Sequence, residues 1–234
     1  MKEKTLLLIG ADGGLGNGMI SYFLQQDYNS LYLSGRKEFP APDDHRITKI
    51  FTGSLDSDEA VAELFSQIPM RKRTQLYVFS TIGGYMAGQP ADETPPHVWD
   101  SMLSMNLMTT TKLIPQFVRK ATEGAGGAIC FMSALSAFRN EENRSAYSVS
   151  KAALNQLVVS AAPELKRKGT SIFAIAPFLI NTPANQEWMD QEMTNLAVTP
   201  EEVAATAHSL FQQYHILSGN IIRIEHRFRI DDMD

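Results

Sequence analysis

The chain has 234 residues, of which 44% are hydrophobic and 20% charged, a composition typical of globular proteins. Its formal net charge of −5, from 21 basic and 26 acidic residues, argues against nucleic acid or an anionic membrane surface as a partner. No apolar run approaches the roughly 20 residues of a membrane-spanning helix, and no signal peptide is visible. The single cysteine, Cys130, cannot form an internal disulfide, so we expect a cytoplasmic protein with Cys130 in its core.

Short apolar runs alternate along the chain with longer amphipathic runs. The apolar runs predict seven buried strands, at residues 5–9, 30–34, 47–51, 75–80, 128–132, 171–176 and 220–224. The amphipathic runs predict helices at residues 15–26, 58–68, 96–121, 146–168 and 200–213. Continuous apolar strands separated by helices are typical of a parallel sheet covered on both faces. The expected fold is therefore α/β, a single Rossmann domain over residues 1–234 with a doubly wound parallel sheet of about seven strands.

Two segments lie outside this alternation. Residues 38–46 contain two prolines and two aspartates, which predicts an exposed loop. Residues 184–199 scatter apolar side chains among polar ones, which is compatible with a flap over a substrate cleft or with a surface helix. The sequence leaves both alternatives open.

A glycine-rich turn follows the first predicted strand directly and opens the first helix. Its spaced glycines are Gly10, Gly14 and Gly16, with Asp12, Gly13 and Leu15 between them. Glycines let the backbone approach a phosphate closely, and the free N–H groups at a helix start then bind the anion. Because of its position between strand and helix, this turn predicts a dinucleotide-binding site.

The end of the second predicted strand indicates which dinucleotide binds. An acidic residue there would accept hydrogen bonds from the ribose of NAD, but this chain has Ser34-Gly35-Arg36-Lys37. Arg36 can bind the 2′-phosphate of NADP in a two-pronged contact. We therefore expect NADP(H) as the cofactor, with NAD(H) as the less favoured alternative. The alternative interpretation of Arg36 and Lys37 is a solvated basic loop that binds no cofactor.

Tyr147 and Lys151 stand at positions i and i+4 at the start of a predicted helix, so they share one helix face. The phenol of tyrosine has an ordinary pKa of about 10, too high for efficient proton transfer near neutrality. A neighbouring ammonium group stabilises the phenolate, and Lys151 is therefore expected to lower the pKa of Tyr147. The pair predicts a proton donor with its supporting cation.

With these motifs in this order, the chain resembles the short-chain dehydrogenase/reductase family over nearly all of its length. Gly10, Gly14 and Gly16 match the family's cofactor turn, and Tyr147 and Lys151 its catalytic pair. The resemblance implies that Asn106 completes the active site by holding a water near Lys151. It also implies that the cofactor contacts the segments after the fourth and sixth strands, at Thr81, Gly83, Pro177, Ile180 and Thr182.

The chain departs from the family pattern at three positions. The catalytic serine usually lies about 13 residues before the tyrosine, where this chain has Ala134; Ser133 could serve if the intervening loop allows. The adenine-contacting aspartate after the third strand is replaced by Ser54, followed by Leu55. Phe178 stands where the family places glycine after Pro177, and it could narrow the substrate pocket.

The missing serine also makes the chain similar to dihydropteridine reductases, which dispense with it and place an aromatic residue where Tyr85 stands. We expect Tyr147 to donate the proton, Lys151 to hold the ribose, and Tyr85, Phe178 and Trp188 to line the substrate pocket. The expected reaction is NADPH-dependent reduction of a C=O or C=N bond in a small molecule, carbonyl or pteridine-like. A non-catalytic NADP(H)-binding regulatory protein is the alternative. The resemblance further implies a homodimer or homotetramer, and the five histidines show no spacing that predicts a metal site.

Overall fold

The structure, a computed structural model, describes residues 2–139 and 141–227. All seven predicted strands are present. They are β1 (Glu3–Ile9), β2 (Ser30–Gly35), β3 (Ile47–Phe51), β4 (Thr74–Ser80), β5 (Gly127–Met132), β6 (Thr170–Pro177) and β7 (Ile221–Ile224). They form one parallel sheet in the order β3-β2-β1-β4-β5-β6-β7. The α/β fold class predicted from the alternating runs is confirmed.

The direction of strand addition reverses between β1 and β4. Strands β2 and β3 are added on one side of β1, and β4 to β7 are added on its other side. Ile9 is in register with Ser34 of β2 and Ser80 of β4, so the three strands end at the same level. The loops that leave these ends diverge to opposite faces of the sheet. A crevice therefore opens at the carboxyl ends of the strands, where ligands bind in doubly wound sheets.

Helices cover both faces of the sheet and bury two separate apolar cores. They are α1 (Gly14–Leu24), α2 (Asp58–Ser66), α3 (Pro96–Leu103), α4 (Thr109–Glu123), α5 (Ser145–Lys166), α6 (Pro183–Gln186), α7 (Gln191–Leu196) and α8 (Pro200–Gln212). One core lies beneath α1 and α8, and the other lies beneath α2, α4 and α5. Cys130 is fully buried in the first core, and desolvation raises the pKa of its thiol, so it packs as a small apolar side chain as predicted.

The helix starts follow from local sequence. Ser57 caps α2, since its side chain accepts a hydrogen bond of 3.1 Å from the N–H of Ala60. Thr199 and Glu202 form a reciprocal capping box at the start of α8, with Pro200 at the first helical position. The starts predicted at residues 58 and 200 are confirmed.

The helix predicted over residues 96–121 is present, but it is not uniformly α-helical. A π-helical turn at Ser104–Met108 separates α3 from α4. Such turns add one residue to the helical repeat, which rotates the following residues relative to the preceding ones, and they occur often at functional sites. The periodicity of apolar residues continues on both sides of the turn, and for that reason the sequence pattern did not reveal it.

Candidate active site

A cavity of about 510 Å³ lies at the carboxyl ends of β1–β4. Of the residues predicted to bind the cofactor, it is lined by Gly10, Asp12, Gly13, Arg36, Ser54, Leu55, Thr81 and Gly83. The strand-to-helix turn, the end of β2 and the loops after β3 and β4 thus meet at one crevice. The predicted cofactor residues of these four segments lie together.

The glycine-rich turn has the geometry that close approach of a phosphate requires. Gly10 has φ +84°, and a β-carbon there would overlap the hydroxyl of Thr81. A β-carbon at Gly16 would overlap the carbonyl oxygen of Gly10. No side chain caps the start of α1 and its first turn has no acidic residue, so its first N–H groups remain available to an anion. These residues fit the pyrophosphate of a dinucleotide.

The segment after β6 lies against the same turn. A β-carbon at Gly14 would lie 3.1 Å from Cδ of Pro183 and 3.4 Å from Cβ of Thr182. Thr182 is buried, and its N–H donates to the carbonyl oxygen of Ile180 at 2.9 Å. Pro177 ends β6 and leads into this segment. The chain therefore passes close to the start of α1 where the resemblance implied a cofactor contact, whereas Leu15 packs against the core beneath α1.

The end of β2 carries charges of both signs. Arg36 and Lys37 are exposed and line the cavity, and the N–H of Arg36 donates to Oδ2 of Asp12 at 3.1 Å. The carboxylate of Asp12 therefore lies beside the basic pair. Asp56, at the end of the loop after β3, also lines the cavity. Lys37 and Asp56 were not among the residues predicted to bind the cofactor, although Lys37 is adjacent to the predicted Arg36. The contact between Asp12 and the backbone of Arg36 was not predicted either.

Lys151 lies on α5 with 4% of its surface exposed. Its Nζ donates to the carbonyl oxygen of Met132, at the end of β5, at 2.8 Å. Burial of the ammonium group lowers the pKa of Lys151 to about 8, because desolvation disfavours the charged form. A β-carbon at Gly83 would lie 2.9 Å from this Nζ. The side chain of Lys151 therefore extends from α5 to the loop that follows β4.

Asn106 lies within the π-helical turn and holds that same loop. Its Oδ1 accepts from the N–H of Gly84 at 2.9 Å, and its Nδ2 donates to the carbonyl oxygen of Gly84 at 3.0 Å. Nδ2 also lies 2.9 Å from Oγ of Ser150, one residue before Lys151. The amide of Asn106 thereby joins three elements and fixes Gly83 against Lys151.

Tyr147 is half-buried at the mouth of the site. The centroid of its ring lies 5.8 Å from Nζ of Lys151 and 4.9 Å from the ring centroid of Tyr85, which meets it edge to face. The pKa of Tyr147 is raised to about 12, chiefly by burial and also by Tyr85 and Glu141, whereas Arg144 acts in the lowering direction. The expected lowering of this pKa by Lys151 stays a prediction.

Ser133 follows β5 directly and has 4% of its surface exposed. Its Oγ is buried and has no hydrogen-bond partner, and its N–H donates to the carbonyl oxygen of Ile175 at 2.8 Å. The role of Ser133 in place of the serine missing at Ala134, which requires an intervening loop longer by one residue, stays a prediction. A hydroxyl buried in this way presents no surface to a substrate.

The three predicted substrate-pocket residues are exposed, and Tyr85 lies against Tyr147. Tyr85 and Trp188 each have 57% of their surface exposed, and Phe178 has 41%. The guanidinium of Arg139 lies 5.4 Å from the ring centroid of Phe178. Trp188 lies between α6 and α7, the two short helices into which residues 184–199 fold. That segment is tied at its base by a bridge between Ile180 and Val198.

Within residues 2–139 and 141–227, no helix is long and apolar enough to cross a membrane. The same residues contain no group of three or more His, Cys, Asp or Glu side chains placed to hold a metal ion.

A family model described as short chain dehydrogenase matches residues 4–193. The chain belongs to the short-chain dehydrogenase/reductase family. An uncharacterized oxidoreductase of Staphylococcus saprophyticus is 22% identical over 227 residues, which cover 92% of this chain and 94% of that protein. The solved structure of ElxO with NADP bound has a TM-score of 0.81 at 21% identity and covers 96% of this chain and 97% of its own. The structure of 7 alpha-hydroxysteroid dehydrogenase complexed with NADH and 7-oxo glycochenodeoxycholic acid has a TM-score of 0.79 at 18% identity, covering 96% and 93% of the two chains.

As a short-chain dehydrogenase/reductase, the protein is an NAD(P)-dependent oxidoreductase, and the predicted family and enzyme class are confirmed. The two solved structures hold different nicotinamide cofactors, NADP in one and NADH in the other.

Proposed function

We propose that this short-chain dehydrogenase/reductase uses NADPH to reduce a C=O or C=N bond of a small molecule, with Tyr147 as the proton donor. The observation that carries the proposal is the assembly of Tyr147, Lys151 and Asn106 beside the crevice of the glycine-rich turn. When bound, NADPH supplies the hydride. The side chains of the protein supply position, charge and the proton.

The preference for NADPH rests on Arg36 and Lys37. Both line the cavity at the end of β2, where no side chain of this strand end offers a carboxylate to the ribose. The guanidinium of Arg36 has no ion-pair or hydrogen-bond partner among the described residues, so its planar donor edge remains available for a phosphate. Asp12 works against this preference, since its carboxylate lies within hydrogen-bond distance of the backbone of Arg36.

Tyr147 is suited to donate a proton in the direction of reduction. With its pKa raised to about 12, its phenol is protonated at neutral pH and ready to give its proton to a developing oxygen or nitrogen anion. Lys151 has a pKa lowered to about 8 and remains mostly protonated at pH 7. Its Nζ donates to the carbonyl oxygen of Met132 and lies 5.8 Å from the ring centroid of Tyr147, so it places a positive charge beside the phenol.

A dihydropteridine reductase-like activity is the second candidate. The exposed ring of Tyr85 stands edge-on to Tyr147 and presents an aromatic surface to a flat heterocycle. The hydroxyl of Ser133 is buried, so the site operates without a serine that polarises the substrate oxygen. Both features favour a substrate that is bound by stacking and needs only one proton donor.

The test is a titration of the purified protein with NADPH and NADH, followed by nicotinamide absorbance on addition of aldehydes, diketones, quinones and quinonoid dihydropterin. The proposal expects tighter binding of NADPH and its oxidation by at least one class. Oxidation by the dihydropterin alone would favour the second candidate. Tight binding of NADPH with no turnover on the whole panel would instead support a regulatory protein that binds the cofactor without catalysis.

A further inference from the structure

A second cavity, of about 200 Å³, lies between the segment that follows Tyr85 and the segment that precedes Tyr147. It is lined by Met86, Ala87, Gly88, Gln89, Thr94, Val98, Asn143, Arg144, Ser145 and Ala146. The first of these follow Tyr85 in the chain, and the last precede Tyr147. At roughly 30 Å³ per water-sized group, the cavity has room for a short chain of about six heavy atoms.

The two loops that form this cavity are held together by a backbone contact. The N–H of Gly88 donates to the carbonyl oxygen of Asn143 at 2.8 Å. Asn143 has φ +61°, which is uncommon for a residue other than glycine and persists where the surroundings enforce it. This conformation directs the chain into Arg144 and the start of α5, so the cavity wall and the first turn of the catalytic helix are formed together.

Arg144 is the one charged residue among the described residues that line this cavity. Its Nη1 donates to Oε2 of Glu141 at 2.7 Å, and its guanidinium lies 5.8 Å from the ring centroid of Tyr85. The rest of its donor edge has no hydrogen-bond partner among the described residues. A guanidinium carries five N–H donors, so a second carboxylate can bind while the contact with Glu141 remains.

The positions of Arg144 and Tyr147 relate the cavity to the reaction. Tyr85 contacts both side chains, with its ring edge-to-face on Tyr147 and beneath the guanidinium of Arg144. A substrate whose reacting carbon lies at Tyr147 can therefore extend past Tyr85 toward Arg144. The apolar lining of Met86, Ala87 and Val98 suits the methylene groups between the two ends.

We propose that this cavity binds the carboxylate of the substrate, so that the protein reduces small oxo acids whose carbonyl lies at Tyr147 and whose carboxylate lies at Arg144. The inference deepens the proposed function and rests on it for the identity of the reacting end. Arg144 is in this account a substrate-binding residue that selects for acids over neutral carbonyl compounds.

Binding can be tested without turnover by saturating the protein with NADP⁺, which cannot reduce a carbonyl. Calorimetric titration with 4-oxopentanoate, 5-oxohexanoate and 6-oxoheptanoate, and with the methyl ester of each, compares acid with neutral partner at nearly equal size. We expect at least one acid to bind about tenfold more tightly than its ester, the lower end of what a charge-assisted contact provides at a partly exposed site. Equal binding of every acid and ester, or no measurable binding at all, would overturn the proposal.

Arg144→Gln should abolish the preference for the acid. The matched control is Arg139→Gln, which removes a partly exposed arginine that also lies over an aromatic ring and pairs with a glutamate, Glu225. The control should keep the acid–ester ratio of the wild type. Loss of the ratio in both variants, or its retention in Arg144→Gln, would show that general charge rather than this site selects the acid.

Turnover with NADPH separates this inference from the proposed function. If the acids bind selectively but are not reduced, the carboxylate site stands and the proposed reaction fails. If acids and esters are reduced with equal kcat/KM, the reaction stands and the carboxylate site fails.

Discussion

Replacing Lys151 by methionine should stabilise the folded protein at neutral pH while it removes activity. The side chain of Lys151, including its ammonium group, is buried, and desolvation lowers its pKa from 10.5 to about 8. At about 1.4 kcal/mol per pH unit, burial of the charged form costs about 3 kcal/mol. Loss of the hydrogen bond from Nζ to the carbonyl oxygen of Met132 offsets about 2 kcal/mol of the gain. The net stabilisation is about 1 kcal/mol, which corresponds to a Tm increase of about 2–4 °C for a chain of this length.

The pH dependence of this difference follows from the direction of the shift. Below pH 8 both the folded and the unfolded wild type carry the proton, so the cost of burying the charge is fully present. Between about pH 8 and 10.5 the folded protein releases the proton of Lys151 while the unfolded chain retains it, so the stability of the wild type rises relative to Lys151→Met. The advantage of the variant should therefore vanish near pH 9 and reverse above it.

The assay is thermal unfolding of the wild type and Lys151→Met at pH 6.5 and pH 9.5. The control is Lys168→Met, which removes an exposed lysine just beyond the end of α5 and should leave the difference in Tm near zero at both pH values. A variant that is less stable than the wild type at pH 6.5, or a Tm difference that is the same at both pH values, would refute the reasoning from desolvation.

Two further substitutions test the site. Asp12→Ser removes the carboxylate beside Arg36, which would repel the 2′-phosphate of NADPH. The ratio of kcat/KM for NADPH to that for NADH should therefore rise roughly fivefold, which corresponds to about 1 kcal/mol for the loss of one nearby like charge. Steady-state kinetics with both cofactors measures this ratio, and a fall in it would contradict this placement of Asp12. Ser133→Ala should change kcat/KM less than about threefold, because the hydroxyl is buried without a partner, whereas loss of a donor to a developing oxyanion typically costs about 10²–10³ in kcat. A loss of that size would restore Ser133 as a catalytic residue.

Much of the fold was predictable because it depends on local patterns. Apolar runs of strand length separated by amphipathic runs predicted all seven strands of the sheet, and the helix starts predicted at residues 58 and 200 are the observed ones. The glycine-rich turn was predictable because its glycines follow the first strand directly and open the first helix, although Gly10 and Gly14 are constrained by the distant residues Thr81 and Pro183.

The features that the sequence did not reveal depend on contacts between distant segments. The π-helical turn at Ser104–Met108 is accompanied by two hydrogen bonds between Asn106 and Gly84, 22 residues away, one in each direction. The pKa of Tyr147 depends on Arg144, Glu141 and Tyr85, whose approach is set by two loops. The i, i+4 spacing placed Lys151 near the ring of Tyr147, but it could not show that Nζ turns to the carbonyl oxygen of Met132.

The central claim is that Tyr147 donates the proton in an NADPH-dependent reduction, and Tyr147→Phe tests it most directly. The variant keeps the ring that packs against Tyr85 and removes only the hydroxyl. With a carbonyl substrate that the wild type reduces, kcat should fall by about 10²–10⁴ while the Kd for NADPH changes less than about twofold. A variant that retains kcat within tenfold of the wild type, or that loses NADPH binding in proportion to its activity, would contradict the assignment of Tyr147 as the proton donor.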